Sequence, residues 1–429
     1  MHVGGLFLAR PPANAPKDYL ERVAERMRAA TKPTPPFDKQ LSRKFGAWFW
    51  EKDEQFDVDH HFRHYALPKP GRIRELLRMV SQLHAAPLDR SRPLWEMYLI
   101  DGVDDGRFAI YSKIHHSLVD GIAAMRILQR CLSEDPEEID MPPPWAAIRT
   151  PKERSEDETF GSLRDLLSSV PKVSREIART IREIRQDDDR SNDMRAPRSI
   201  LNQSISGSRR FAAQSYPLER IRAVGRRHKA TVNDVVLAMC ASALRRYLLD
   251  LGELPEKPLI AMVPVSIRRD ESAAGNQIAM ILANLATHIA DPAARLRTIQ
   301  GSVQQSKDRY SKMTPGEILA YAATLLGPAG LNFLTSAVPQ IQAFNVIISN
   351  VPGPKQPLHF NGARIEGMYP VSIVVDGQAL NLTLTSYVDK LELGVIACRR
   401  TLPRIQRLLE YLEIGLSELE GISDSNELP

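Results

Sequence analysis

Residues Glu134 to Arg198 divide this chain. They contain Pro142-Pro143-Pro144 and the run Asp187-Asp188-Asp189-Arg190. Proline removes a backbone donor, and a charge run cannot be packed into a core, so no regular layer can run through both. The division sets an N-terminal domain at residues 1–140, a connector at 141–198 and a C-terminal domain at 199–429. With 429 residues, the chain is too long for one ordinary core and suits two domains of roughly 150–200 residues each. Inside the connector, Leu163, Leu166, Leu167, Val170, Val173, Ile177, Ile181 and Ile184 recur at helical intervals, interleaved with Arg164, Lys172, Arg175, Arg179, Arg182 and Arg185. That is a basic amphipathic helix, suited either to packing on the protein or to lying on an anionic membrane.

Each part alternates strands and helices, the pattern of an α/β fold with mixed sheets and flanking helices. In the first part, Val3–Ala9 reads as a strand, Lys17–Thr31 and Gly71–Ala86 as helices, and Trp95–Ile100 and Arg107–Ile114 as strands joined by the turn residues Asp101 to Gly106. Gly121–Leu132 reads as a helix. In the second part, Thr231–Leu249 is a strong helix. Leu259–Ile267, Asn276–Thr287 and the almost wholly apolar Ala343–Ser349 are strands, the last fit for burial on both faces. Leu380–Tyr387 and Leu391–Cys398 form the clearest hairpin, and a final helix runs from about Pro403 to Leu419.

Charge and cysteine usage remove several function classes. The net charge of +5 on 429 residues is too weak, without an aromatic-interleaved basic stripe, to indicate nucleic acid. It fits phosphate-bearing ligands or an anionic membrane equally. The three cysteines, Cys131, Cys240 and Cys398, are far apart, which indicates neither a disulfide framework nor a zinc site and suits a reducing cytosol. Ile318 to Pro354 holds no Asp, Glu, Lys or Arg. Gly327, Pro328, Gly330 and Pro339 interrupt it, so it reads as a buried core element or a lipid-facing tunnel and not as a membrane span.

The chemistry concentrates in His115-His116-Ser117-Leu118-Val119-Asp120-Gly121. A strand carries two histidines to its end. Adjacent strand residues face opposite ways, so one imidazole alone can face a given cavity. A neutral imidazole is the natural general base near pH 7. Asp120 is suited to holding the turn, and Gly121 to close approach of backbone or ligand. A histidine can activate a hydroxyl without an acyl-enzyme if an activated acyl donor and oxyanion donors are present. No GxSxG elbow supports a serine hydrolase.

With these residues in place, the chain resembles a known family. HHSLVDG matches the HHxxxDG signature of the CoA-dependent acyltransferase superfamily, which includes chloramphenicol acetyltransferase-like enzymes and condensation domains. The closer resemblance is to bacterial wax ester synthase/diacylglycerol acyltransferases. It is carried in order by Met1-His2-Val3-Gly4-Gly5, Arg92-Pro93-Leu94-Trp95-Glu96, Val232-Asn233-Asp234-Val235, Val263 to Arg268, Gly275-Asn276 and Ser349-Asn350-Val351-Pro352-Gly353-Pro354. Family members usually carry a short helix ahead of the MHVGG strand; here the sequence opens on the strand.

The resemblance implies two chloramphenicol acetyltransferase-like domains with an active-site channel between them. His116 would be the general base, with His115, Asp120 and Gly121 supporting the motif. Asn233 and Asp234, at a helix start, are oxyanion or orientation candidates; their plainer reading is a helix start after Thr231. Pro93, Leu94, Trp95, Asn276, Asn350 and Pro352 are candidates for the channel wall. The implied reaction moves a fatty acyl group from acyl-CoA to a long-chain alcohol, giving wax ester, or to diacylglycerol, giving triacylglycerol. No cofactor is expected, because the thioester is already activated, and no metal. His60-His61-Phe62-Arg63-His64 lacks a ligand set at suitable spacing. Arg72, Arg74, Arg78 and the pairs Arg209-Arg210, Arg226-Arg227 and Arg268-Arg269 are candidates for the CoA phosphates. The protein is expected in the cytoplasm, peripherally on the inner membrane or on lipid droplets. Two other readings are a condensation-type enzyme fed by a carrier protein and a non-catalytic lipid-surface protein.

Overall fold

The computed structural model describes residues 2–44, 46–119, 127, 130–147, 196–266, 278–313, 318 and 342–422. Two six-stranded mixed sheets form the frame. The first runs β11 (His359–Phe360), β12 (Ala363–Val371), β1 (His2–Arg10), β6 (Phe108–His115), β5 (Trp95–Asp101), β4 (Phe62–Ala66). The second runs β7 (Arg209–Pro217), β14 (Lys390–Cys398), β13 (Leu380–Tyr387), β10 (Val346–Val351), β8 (Ile260–Ser266), β9 (Ile278–Asn284). A separate hairpin joins β2 (Lys39–Lys44) to β3 (Ala47–Lys52). The helices are α1 (Tyr19–Ala29), α2 (Val58–His61), α3 (Ile73–Ala85), α4 (Leu218–Arg227), α5 (Val232–Asp250), α6 (Pro292–Ser311) and α7 (Arg407–Glu420).

The expected α/β class with mixed sheets is what the chain forms. The strands and helices read from period and punctuation lie within a few residues of their expected places. Of the helix expected at Gly121–Leu132 only residues 127 and 130–132 are described, the first helical and residues 130 and 131 in a turn, and the amphipathic connector helix lies outside the described residues. α5 shows why its sequence is nearly continuous in apolar residues. Val235 to Leu244 are all buried, with α4, α6 and α7 packed around the helix. Its start is closed by a capping box, in which Thr231 and Asp234 bond reciprocally through side chain and backbone.

Two assignments along the chain are redrawn. β11 and β12, from the span expected to form the C-terminal domain, complete the sheet of the first half instead. β12 pairs antiparallel with β1, setting Gly4 opposite Val371 and Phe7 opposite Met368. β1 has β6 on its other side, so without β12 its outer edge would leave a row of backbone donors and acceptors unpaired. The start of the expected connector is also part of the core. Trp145 is 0% exposed, stacks on Trp95 at 5.1 Å between ring centroids and donates its indole N–H to the carbonyl of Ala30 at 2.8 Å. The large aromatic surface buried there outweighs the loop propensity of the three prolines before it.

The sheets meet through α3 and the crossing strand. Leu6, Leu8, Tyr98 and Tyr111 of the first sheet, Leu76 and Val80 of α3, and Phe211 and Ile396 of the second form one apolar cluster. Gly394 in β14 is required by this crossing. A Cβ there would lie 1.7 Å from the carbonyl oxygen of Pro370 in β12. Gly394→Ala is therefore expected to push β12 off β14 and destabilise the fold by about 1–3 kcal/mol or more, the usual cost of overpacking. A lowered midpoint in chemical denaturation, with an unchanged slope, checks this.

Candidate active site

β6 ends at His115, and its neighbours decide what each histidine can do. The two faces of the first sheet differ. Leu99, Phe108 and Ile110 point to a core with α1 and Trp145, whereas Tyr98, Tyr111 and the side chain of Lys113 point toward α3. His115 continues the α3-side face, while His116, the first turn residue, is exposed. β1 lies directly alongside, with His2 opposite His115 and Gly4 opposite Lys113. The glycine in this part of the Met1–Gly5 motif has a steric cause: a Cβ on Gly4 would lie 2.2 Å from the carbonyl oxygen of Ser112.

His115 is held by its own turn. Its Nδ1 accepts from the backbone N–H of Ser117 at 3.3 Å and lies 2.6 Å from the Ser117 hydroxyl. An accepting Nδ1 places the ring proton on Nε2. Burial is the main reason its pKa is lowered to about 4, with the positive charge of Arg90 a smaller cause. The ring is thus neutral at pH 7, and its Nδ1 lone pair is engaged. The backbone N–H of His115 donates to the carbonyl of Leu94 at 2.8 Å, tying the histidine turn to β5.

Below the turn lies a buried polar network that no sequence pattern singled out. Lys113 has a fully buried side chain and donates to Glu96 at 2.9 Å and to the carbonyls of Leu83 and Ala86 at 3.0 Å. Those carbonyls end α3, where unpaired carbonyls and the helix dipole favour a cation. Tyr98 donates to the same carboxylate at 2.6 Å. Burial opposes ionisation of Glu96, but the bonds from Tyr98 and Lys113 outweigh it and hold the carboxyl below its usual range. Burial pulls the Lys113 ammonium down, against the pull of Glu96. His84 links the same region to β12: its Nε2 donates to the carbonyl of Ser372 at 3.0 Å, so its Nδ1 accepts from the Tyr111 hydroxyl at 2.8 Å. The signal for the ion pair was a Glu and a Lys, each inside an otherwise apolar strand.

On the opposite face, Phe37, Trp95, Met97, Ile114, Val119, Ile127 and Trp145 help to line an apolar pocket of about 50 Å³. Val119 and Ile127 belong to the segment that follows the histidines, so the motif itself walls the pocket. Trp95 is fixed by donating its indole N–H to the carbonyl of Phe37 at 2.9 Å and stacks on His61. Pro93 and Leu94 are buried beside it. Of the expected wall residues, Pro93, Leu94 and Trp95 therefore stand next to the histidine turn. Phe37 and Trp145 were missed. A lone tryptophan in a proline-rich stretch was the available sign of the second.

The remaining candidates separate. Asp234 serves the capping box of α5, which meets its plainer reading as a helix start. Asn233 is half-buried in the first turn of α5, and among the described residues no hydrogen bond joins it to the histidine turn. Asn350 is half-buried in β10 and Pro352 exposed just after it. Asp120, Gly121 and Asn276 lie outside the described residues. In the His60–His64 run, His61 is buried and bonded to the Trp95 carbonyl, while His64 faces Asp101 at 3.1 Å. Arg226 pairs with Glu219, and Arg227 donates to the Glu420 carbonyl.

A profile of the wax ester synthase/diacylglycerol acyltransferase catalytic domain matches residues 1–236, and one of the C-terminal domain of the same family matches residues 274–420. The chain belongs to the wax ester synthase/diacylglycerol acyltransferase family. It is 50% identical to O-acyltransferase WSD of Acinetobacter baylyi, over 100% of this chain and 94% of that protein. The wax ester synthase/diacylglycerol acyltransferase structure from Marinobacter aquaeolei is 49% identical and superposes with a TM-score of 0.80, covering 98% of this chain and 94% of that one. The first condensation domain of the calcium-dependent antibiotic synthetase shares the fold, at 16% identity and a TM-score of 0.57, over 97% of this chain and 90% of that one. Among the described residues, no helix of this family member is long and apolar enough to cross a membrane.

Two outcomes follow from the site's electrostatics. Lys113→Met alone leaves buried Glu96 with Tyr98 and the more distant Arg63, 3.7 Å away, but without its buried ammonium, and is expected to cost about 3–5 kcal/mol, whereas Lys113→Met with Glu96→Leu recovers most of that loss; denaturation of the single and double variants tests the pair. His2 and His61 have pKa values lowered to about 4 by burial, and buried His84 is lowered well below its usual value. The unfolded chain binds more protons than the folded one between about pH 6.5 and 4. Stability is therefore present above pH 6.5 and lost as pH falls toward 4, by up to about 1.4 kcal/mol per pH unit for each such histidine. Denaturation midpoints measured across this range check the sign.

Proposed function

We propose that this chain is an acyl-CoA:alcohol O-acyltransferase that uses His116 as its general base. The observation that carries the assignment is the parting of the two histidines. His115 has its Nδ1 occupied by Ser117 and is kept neutral by burial. His116 is exposed at the strand end, in a segment whose next residues wall an apolar pocket. A base must reach the proton it takes, and of the two rings His116 has the access. Relatives named O-acyltransferase and wax ester synthase/diacylglycerol acyltransferase support the reaction class.

In this reading His116 takes the proton of the acceptor hydroxyl as its oxygen attacks the thioester carbonyl. The tetrahedral intermediate collapses to the ester. The thiolate of CoA leaves and recovers the proton from the imidazolium, so no acyl-enzyme forms. The thioester is already activated, and the step draws on no cofactor. The acyl donor is a fatty acyl-CoA, and the acceptor a long-chain alcohol or diacylglycerol. The pocket beside Trp95 and Trp145 has the apolar lining that a hydrocarbon chain requires. Asp120 and Gly121 shape the turn, Asn233 orients the acceptor or the oxyanion, and Asn276, Asn350 and Pro352 belong to a channel between two domains. The protein works in the cytoplasm, at the inner membrane or a lipid-droplet surface. His116→Ala is expected to lower CoA release with hexadecanol or diacylglycerol by at least about a hundredfold, with the circular dichroism spectrum unchanged. Near-normal turnover in a folded variant rejects the assignment.

A further inference from the structure

The β2–β3 hairpin stands apart from both sheets and exposes three consecutive aromatic residues. Trp48, Phe49 and Trp50 are 57%, 45% and 39% exposed. Water does not favour such a patch on a protein that has three apolar clusters in which to bury aromatic residues. The register sorts the hairpin into two faces. Lys39 stands opposite Lys52, Leu41 opposite Trp50, and Arg43 opposite Trp48, and these six share one face. The other face carries Gln40, Ser42, Lys44, Ala47, Phe49 and Glu51, with Lys44 paired to Glu51. The first face thus combines two tryptophans and a leucine with three cations and no carboxylate. Lys52 reaches Glu54 beyond the strand end at 3.1 Å, and the Arg43 guanidinium lies 5.9 Å from the Trp48 ring centroid.

We infer that this face of the hairpin docks the protein onto an anionic lipid surface. Tryptophan, apolar below and a hydrogen-bond donor at its edge, suits the boundary between headgroups and acyl chains. Lysine and arginine beside it match the phosphates of that surface, and their stems lie along the apolar layer. With Lys52 already paired to Glu54, a protein partner of ordinary surface would leave Lys39 and Arg43 without a match. The place of the hairpin supports the same occupant. Its base is held by the backbone bond of Asp53 to Asp38 at 2.8 Å, and Phe37, immediately before it, accepts from Trp95 and lines the apolar pocket. Strands of six residues rise about 20 Å, so the hairpin projects from the wall of the pocket beside the histidine turn. Lipid met at the hairpin is met within about 20 Å of the pocket. The inference deepens the acyl-transfer reading by naming where lipid is contacted. Its deciding readout is vesicle binding, with turnover of soluble substrates only as a control, so either reading can fail while the other stands.

The full chain is incubated with vesicles of phosphatidylcholine and phosphatidylglycerol, and separately with vesicles of phosphatidylcholine alone. The unaltered chain is expected to co-sediment with the anionic vesicles and to bind the neutral ones more weakly. Trp48→Ala with Trp50→Ala is expected to lower binding by at least about tenfold, given the apolar area the two rings would bury. Arg43→Glu is expected to weaken binding to the anionic vesicles only. Trp95 and Trp145 are buried beside the pocket that the acyl-transfer reading gives to a hydrocarbon chain, so lipid with brominated acyl chains is expected to quench the unaltered chain more strongly than the double variant, which keeps only the quenching that reaches those two rings. Turnover of a water-soluble short-chain acyl-CoA and short alcohol stays unchanged in all variants. Equal vesicle binding by the folded double variant, or no quenching in the unaltered chain, overturns the inference. So does a hairpin-dependent dimer in sedimentation velocity that binds no vesicle.

Discussion

The antiparallel pairing of β12 with β1 is the constraint on which the rest of this structure depends. It joins Gly4 to Val371 and so closes nearly the whole chain into one frame. Closing so long a loop costs only about 0.6 kcal/mol more per doubling of its length, so a nine-residue strand with an apolar interface repays it. β1 is then held from both sides, and β6 is aligned on its inner edge. Because β6 ends in His115, the place of the histidine turn follows from a pairing made by residues far away in the chain. The same crossing brings Pro370 onto Gly394, where only a missing side chain leaves room.

The polar groups behind the turn act through position. Lys113, Glu96 and Tyr98 hold the end of β6 against β5 and the last turn of α3, while His84 ties that turn to Tyr111 and to the residue after β12. Such a pair is costly to desolvate and brings little net stability over apolar residues of equal size. What it imposes is register: a charged nitrogen must meet one carboxylate and two carbonyls at once, which a slipped strand could not satisfy. A base needs that kind of fixed platform, because a displacement of an ångström in the reacting groups is expensive in rate.

The apolar elements on the other face form a continuous path. Trp145, Trp95 and Phe37 connect the pocket to the base of the aromatic hairpin, and Trp95 belongs equally to the strand that carries the histidine turn on its neighbour. A reaction between two lipids and a water-soluble CoA needs apolar surface close to a wet base. On the proposed reading the end of β6 meets that need, since exposed His116 sits in the turn that leads into the pocket wall at Val119.

Much of the fold was legible in the sequence because hydrophobic period and punctuation are local. The histidine strand, the α5 capping box and the hairpin of β13 and β14 each follow from residues near in sequence. The Asp234 cap was open to two readings until the bonds to Thr231 were seen. HHSLVDG and the ordered segments around it marked the family. What the chain alone could not reveal was pairing at a distance. β12 joining the first sheet, Trp145 entering the core from a proline-rich stretch, and Lys113 finding Glu96 all depend on which surfaces meet after folding. By itself the sequence determined the chemistry available at the end of β6, because residue type and strand parity set it. Only the tertiary structure decided how far each imidazole is buried, since the packing of β1 and β5 against β6 half-covers His115 and leaves His116 exposed, whereas the Ser117 bonds are local to the turn.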